Sequence, residues 1–179
     1  MIMKLKKIVD SLERFVVSKS GSERKIKYLR RQGVKIGERC FVQSIFISNE
    51  HFLVEMGNHV AIANGVRFIT HDGSASWLFR EELDAGIFGK ISIGNDVFIG
   101  MSSILLPNTT IGNNCIVGAG SVVRGKFPDN SVIMGNPAKV VLKMSAQKLL
   151  YKVSPGLCKT LDLNLPDTIA LLKEKFSIE

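Results

Sequence analysis

From Ile93 to Val123 an aliphatic position returns every six residues, within a repeating stretch that runs on to about Val140. The phase reads Ile93-Gly94, Ile99-Gly100, Leu105-Leu106, Ile111-Gly112, Val117-Gly118 and Val123-Arg124. The fifth place of the hexads holds a small or β-branched residue: Val97, Ser103, Thr109, Cys115 and Ser121. Neither the period of a helix nor the alternation of an isolated strand gives this pattern. It predicts a β-helix, in which short strands stack coil on coil and three hexads, about 18 residues, make one turn of a triangular prism. Ile93 then lies beneath Ile111 at the roughly 4.8 Å separation of neighbouring strands. The aliphatic residue points inward and the fifth residue fills a narrow inner corner. The glycine eases close backbone approach and unusual dihedrals.

The same phase continues upstream, less regularly. Ile36-Gly37 with Cys40 and Val42 forms one stretch; Met56-Gly57 with Val60, Ile62-Ala63 with Val66, and Phe68 form another. Ile36 and Met56 are 20 residues apart, one coil with two residues inserted. Phe68 and Ile93 are 25 apart, which is no multiple of six. A loop over residues 73–90 therefore interrupts the prism, and loops thrown from one side of a solenoid commonly carry binding groups.

Helical spacing replaces the hexads at both ends. Ile2, Leu5, Ile8, Val9, Leu12, Phe15 and Val16 predict an amphipathic helix over about residues 3–17. A polar break around Gly21 precedes a second basic helix over about residues 22–31. After the prism, residues 145–152 and 166–176 read as helices separated by Ser154-Pro155-Gly156. Their apolar residues are expected to pack on the prism or on a neighbouring subunit. The chain thus divides into a basic helical arm (1–35), an all-β core built as a β-helix (36–143) with its loop (73–90), and a helical extension (144–179).

Composition narrows the class. A chain of 179 residues with 45% hydrophobic content can bury a sizeable core. No run of 18 apolar residues exists, so no membrane-spanning helix is expected. The charged first helix does not read as a secretory signal. Three cysteines form no disulfide framework; Cys40 and Cys115 at fifth places read as small buried thiols, and a reduced, cytoplasmic protein is expected. The net charge of +8 sits entirely in residues 1–35, with 11 Lys/Arg against 3 Asp/Glu; the remainder is balanced at 13 of each. Such an arm is either a solvated cap that packs its apolar face on the prism or a surface drawn to an anionic acceptor or a membrane. No aromatic interleaving or binding motif points to nucleic acid.

The run Ile93-Gly-Asn-Asp-Val-Phe-Ile-Gly100, with Pro107, Ile111-Gly112, Val117-Gly-Ala-Gly-Ser-Val-Val123 and Gly135-Asn-Pro-Ala-Lys139, resembles the hexapeptide-repeat acetyltransferases. The similarity is nearest to the sugar O-acetyltransferases, with galactoside, maltose and xenobiotic acetyltransferases as wider relatives. It spans about residues 56–142. The resemblance implies a left-handed parallel β-helix, a homotrimer, and acetyl-CoA bound between adjacent prisms. The left hand comes from the resemblance alone, because parallel crossovers are otherwise right-handed.

Transfer of an acetyl group to a hydroxyl needs a base, since the hydroxyl is too weakly acidic to attack a thioester at neutral pH. Of His51, His59 and His71, only His71 stands where regular coil gives way to loop, in Phe68-Ile-Thr-His-Asp-Gly73. The family places its catalytic histidine in a similar context. Asp72 follows directly, but neighbours in an extended segment point to opposite faces. Asp72 is expected to cap the loop or meet acceptor hydroxyls, and the group orienting His71 is a backbone carbonyl or a carboxylate from elsewhere. Galactoside and maltose acetyltransferases carry an Asn near their first hexads; Arg39 stands near that place here. No activated nucleophile is evident, which favours direct transfer over an acyl-enzyme.

The resemblance also implies donor contacts. Met101 and Ala119 match places where backbone groups touch the pantetheine arm, and Phe98 an aromatic place near the thioester. Arg124, Lys126 and Lys139 are candidates for the phosphates of coenzyme A, Lys139 foremost. On the acceptor side, Trp77 and Arg80, with Asp72 and the carboxylates of the loop, suit stacking on a sugar and bonding its hydroxyls. An N-acetyltransferase acting on an amino sugar would use the same donor site. A zinc enzyme of the γ-carbonic anhydrase kind needs a close histidine pair that this chain lacks, and no metal is expected. A non-catalytic β-helix scaffold would leave His71 and Gly-Asn-Pro-Ala-Lys unexplained.

Overall fold

The computed structural model describes the backbone of residues 2–178 and the side chains of residues 9–178. Met1 and Glu179, the outer limits of the two expected extensions, and the side chains of Ile2, Leu5 and Ile8 lie outside the described residues. Two compact units emerge, Met1–Met144 and Ser145–Glu179.

The first unit opens with α1 (Ile2–Ser18) and α2 (Ser22–Arg31). A three-faced parallel β-helix follows. Its first coil holds β1 (Lys35–Ile36), β2 (Phe41–Val42) and β3 (Phe46–Ile47), and its second β4 (Val54–Met56), β5 (Val60–Ile62) and β6 (Arg67–Phe68). The chain then leaves the prism through an antiparallel stem, β7 (His71–Asp72) against β8 (Ile87–Phe88), which carries α3 (Ser74–Leu78) and α4 (Arg80–Leu83). The third coil is β9 (Ile91–Ile93), β10 (Val97–Ile99) and β11 (Ile104–Leu105). The fourth is β12 (Thr110–Ile111), β13 (Cys115–Val117) and β14 (Val122–Val123). After β15 (Lys126–Phe127) and β16 (Ser131–Gly135), β17 (Ala138–Lys143) turns back antiparallel to β16.

Hexad spacing becomes register. Ile93 pairs with Ile111 and Ile99 with Val117, each 18 residues apart. Ile36 pairs with Met56 across the 20-residue first coil. Three faces result, which we call A (β1, β4, β9, β12, β15), B (β2, β5, β10, β13, β16, β17) and C (β3, β6, β11, β14). Each face sends one aliphatic column inward. Ile62, Ile99 and Val117 are wholly buried on B, as are Leu105 and Val123 on C. Burying each such side chain contributes about 1.5–3 kcal/mol. The fifth-place residues Val97, Ser103, Thr109, Cys115 and Ser121 are all buried, and the hydroxyls bond to corner carbonyls, Ser103 to Gly118 O at 3.0 Å and Thr109 to Leu106 O at 2.7 Å.

The glycines owe their place to crowding between coils. A Cβ on Gly94 would come within 2.8 Å of the Gly112 carbonyl, and one on Gly100 within 2.5 Å of Ala119 N. Unusual dihedrals fall elsewhere: Arg39, His59, Asp96, Asn114 and Asn130 adopt left-handed φ at successive corners between A and B. Beside them runs a ladder of amides. Asn58, Asn95 and Asn113 each accept from the backbone N–H of the coil before, and Asp129 closes the series, every step at 2.8 Å. Removing one rung orphans a backbone donor, so Asn95→Ala should cost about 1 kcal/mol. A lowered melting temperature at fixed protein concentration is the expected reading; an unchanged one would reduce the ladder to decoration.

Below the first coil, Leu29 of α2 and Val17 of α1 join the core cluster. Arg30 donates to the carbonyls of Ile36 (2.9 Å) and Gly37 (2.7 Å), tying α2 to the prism. The apolar side of α1 does not pack there, contrary to the expected cap. Val9, Leu12, Phe15 and Val16 are 47–64% exposed, because the helix is held by Val17 on another side.

In the second unit, α5 (Met144–Lys152), which begins on the last residue of the first, is followed by α6 (Leu165–Lys175). Asn164 caps α6 by accepting from Asp167 N at 2.9 Å, and Lys175 Nζ donates to Leu157 O at 2.9 Å. Neither helix buries a residue fully.

Candidate active site

The corner between faces C and A carries His71. His71 opens the stem at the point where the second coil departs. One coil below, the first coil has its inserted residues at the same corner, where a short 3-10 turn (His51–Leu53) follows Glu50. Glu50 Oε2 accepts from Thr70 Oγ1 at 2.7 Å and from His71 Nδ1 at 2.9 Å. Because a carboxylate only accepts, Nδ1 carries the proton of a neutral His71 and Nε2 is left as the basic nitrogen. No hydrogen bond to Nε2 is made among the described residues. Phe88, across the stem, tilts against the imidazole with ring centroids 6.0 Å apart.

The hydrogen bonds from Thr70 and then His71 hold the Glu50 carboxyl below the usual glutamate range. A group whose folded value is depressed adds stability above its unfolded value and loses it as pH falls through the folded one. The melting-temperature gap between wild type and Glu50→Gln should therefore be widest near neutrality and shrink on acidification. A gap that stays constant with pH would show that the carboxylate charge contributes nothing to folding.

Asp72 turns away from His71. Its Oδ1 accepts from Ser74 N at 2.9 Å and Ser74 Oγ at 2.6 Å, capping the loop. These bonds lower its pKa, with a smaller contribution from the charge of Arg124, which stands near it on the same corner. Trp77 is 85% exposed on α3. Arg80 lines an open cleft of ≈ 420 Å³ with Ser76, Asp84, Ala85 and Gly86, within the loop itself.

The donor candidates gather elsewhere. Met101 and Ala119 stack one coil apart at the corner between B and C, where Gly120 N donates to Met101 O at 2.8 Å. The end of β16 lies over this same corner, since Gly135 N donates to Ser121 Oγ at 3.2 Å. Lys139 pairs with Met134 in the final turn, which includes the cis Asn136–Pro137 bond, and is exposed. Phe98 projects from face B into a cleft of ≈ 560 Å³ lined also by Arg39, Phe41, His59 and Ala61. In one chain, then, His71, Asp72 and Arg124 share one edge of face C, and Met101, Ala119 and Lys139 share the other. At ~3.3 Å per residue the two edges stand roughly 15–20 Å apart.

The other histidines are bound up in the surface. His59 contacts Asp96 Oδ1 at 2.8 Å, and His51 contacts Asn49 O at 3.1 Å. Cys115 is buried, and burial pushes its thiol up; Cys40 is only half-buried, with its Sγ 3.3 Å from Gly57 O. Among the described residues no three His, Cys, Asp or Glu side chains are grouped to hold a metal ion. No helix among them is long and apolar enough to cross a membrane.

Sequence reasoning missed Glu50. The signal for it was the two-residue insertion in the first coil. An insertion at a corner one coil below the outgoing loop puts extra side chains directly against that loop's base.

Comparison with known proteins places this geometry in a family. The profile described as bacterial transferase hexapeptide (six repeats) matches residues 90–125. Protein CapG of Staphylococcus aureus is 43% identical over 140 residues, covering 76% of this chain and 81% of that protein. A galactoside O-acetyltransferase of Lactococcus lactis is 32% identical over 156 residues, 75% of each. The solved structure of a galactoside acetyltransferase in complex with coenzyme A superposes with a TM-score of 0.59 at 19% identity, covering 88% of this chain and 90% of that one. The prism is accordingly a left-handed parallel β-helix. The chain belongs to the hexapeptide-repeat transferases, among their O-acetyltransferases.

Proposed function

We propose that the protein transfers the acetyl group of acetyl-CoA directly to a hydroxyl of a sugar or polysaccharide precursor in the cytoplasm, with His71 as general base. The observation that carries this reading is the Glu50–His71 hydrogen bond at the foot of the β7–β8 stem. It fixes the imidazole with Nε2 available, as a base must be. The acceptor oxygen attacks the thioester carbonyl while Nε2 takes its proton. The tetrahedral oxyanion collapses, the C–S bond breaks, and the imidazolium returns its proton to the departing thiolate. Backbone N–H groups would hold the oxyanion. The buried Cys115 thiol, with its raised pKa, is poorly suited to form an acyl-enzyme.

The sugar acceptor is supported by the galactoside O-acetyltransferase relative and by the loop on the β7–β8 stem, where exposed Trp77 can stack on a ring and Arg80 and Asp72 can bond hydroxyls. Acetyl-CoA as donor is supported by the coenzyme A complex of a structural relative. Phe98 is read as lying near the thioester, Met101 and Ala119 as contacting the pantetheine arm, and Lys139 and Arg124 as meeting phosphates. The separation of the two edges supports a site shared between copies, and the resemblance to the hexapeptide-repeat acetyltransferases implies a ring of three. Only a neighbouring prism brings the His71 edge of one copy against the Met101–Ala119–Lys139 edge of another, and a heterologous contact whose rotation closes makes a ring.

Acetyl-CoA offered with galactosides, with amino sugars and with no acceptor tests the reading through release of free thiol and location of the new acetyl group. O-acetylated sugar is expected. Thiol release without sugar product would overturn the acceptor assignment. Lys139→Ala should weaken coenzyme A binding by about 1–3 kcal/mol in calorimetry, the scale of a charge-assisted contact. Unchanged affinity would return Lys139 to the ordinary surface.

A further inference from the structure

We propose that α1 lies on the surface of an anionic lipid bilayer, with Val9, Leu12, Phe15 and Val16 seated among the acyl chains. Val17 is the helix's buried foothold in the core cluster. Ser11, Arg14, Phe15 and Ser18 line an open cleft of ≈ 420 Å³ against Gln43, Ser44 and Phe46 of the prism, and Phe15 stays 64% exposed there. Arg14 stands over the Phe46 ring at 5.9 Å. The side chains that α1 turns toward this cleft are thus mostly polar, and Val9, Leu12 and Val16 do not line it.

Val9, Leu12, Phe15 and Val16 are left 47–64% exposed. At 100° per residue these four side chains span about 120° of the helix. A contiguous apolar stripe of this kind marks an interaction surface.

Charge selects the occupant. Residues 1–35 carry 11 Lys/Arg against 3 Asp/Glu, and the rest of the chain is balanced. A second copy of the same basic arm would meet the stripe with like charge. An anionic lipid surface meets it with opposite charge and supplies acyl chains for the apolar side, the combination that holds interfacial helices. This inference stands apart from the acceptor reading, since it concerns where the enzyme sits and not what it acetylates.

The test uses the full chain in co-sedimentation with vesicles of phosphatidylcholine alone and of phosphatidylcholine mixed with phosphatidylglycerol. Binding to the mixed vesicles should exceed binding to neutral ones by at least about tenfold, and it should weaken with added salt as screening shortens electrostatic reach. The paired change Leu12→Glu with Phe15→Glu should abolish it while coenzyme A binding, melting temperature and mass by light scattering stay as in wild type. Should that protein fail to fold, Lys6→Glu with Lys7→Glu gives a second reading, loss of the preference for phosphatidylglycerol. The proposal is overturned if wild type ignores the mixed vesicles, or if the Leu12/Phe15 variant binds them equally well. It is overturned too if that variant instead lowers the oligomeric mass, because the stripe would then be covered by another copy.

Discussion

Replacing His71 by Ala should lower kcat by about 10²–10⁴-fold, the usual contribution of a positioned general base, while coenzyme A binding stays nearly intact. The separation of effects follows from geometry. His71 stands at the corner between C and A, and the donor candidates Met101, Ala119 and Lys139 belong to the opposite edge of face C. Removing the imidazole takes away a proton acceptor without disturbing that edge. Steady-state kinetics with a competent acceptor, together with calorimetry for coenzyme A, reads both quantities. A variant with full turnover would remove the general-base role. A variant that also fails to bind coenzyme A would place His71 in the donor site.

Glu50→Gln should lower kcat by roughly 10- to 10³-fold with little change in KM. The carboxylate accepts from Thr70 and His71 together, and its charge favours the tautomer with the proton on Nδ1 as well as the imidazolium formed during transfer. An amide of the same shape keeps the packing and loses that preference. Glu50→Asp, which keeps the charge but shortens the reach, should fall between the two. Equal activity for wild type and Glu50→Gln would reduce Glu50 to a structural bond beneath the β7–β8 stem. A loss confined to KM would point to contact with the acceptor.

How much of this was legible beforehand depends on how local the cause is. The prism was legible in Ile93, Ile99, Ile111 and Val117, because a β-helix repeats one local environment and the register of each strand follows from counting. The reason for the glycines was only half legible: crowding between coils explains Gly94 and Gly100, whereas left-handed backbone fell to Asp96 and Asn114. Asp72 could be set aside as a partner of His71 from strand alternation alone, and it caps Ser74. Glu50 could not be found in the same way. Its contact with His71 joins residues 21 apart through an insertion whose conformation the hexad pattern does not encode. The mounting of α1 was hidden for a similar reason. Helical spacing identifies an apolar stripe, but which side meets the prism is decided by tertiary contacts at Val17 and Arg14.

The central claim is that each catalytic centre joins the His71 edge of one copy to the donor edge of another, and complementation tests it most directly. His71→Ala removes the base, and Ala119→Trp obstructs the donor edge with a bulky ring; each alone should be inactive toward acetyl-CoA and a competent sugar. Unfolded together and refolded as mixed rings, the two variants should regain a fraction of wild-type turnover, because some interfaces then pair an intact His71 with an intact Ala119. Mixed rings that form, as mass spectrometry would show, yet remain as inactive as either parent would contradict the shared site and place both edges in the service of a single chain.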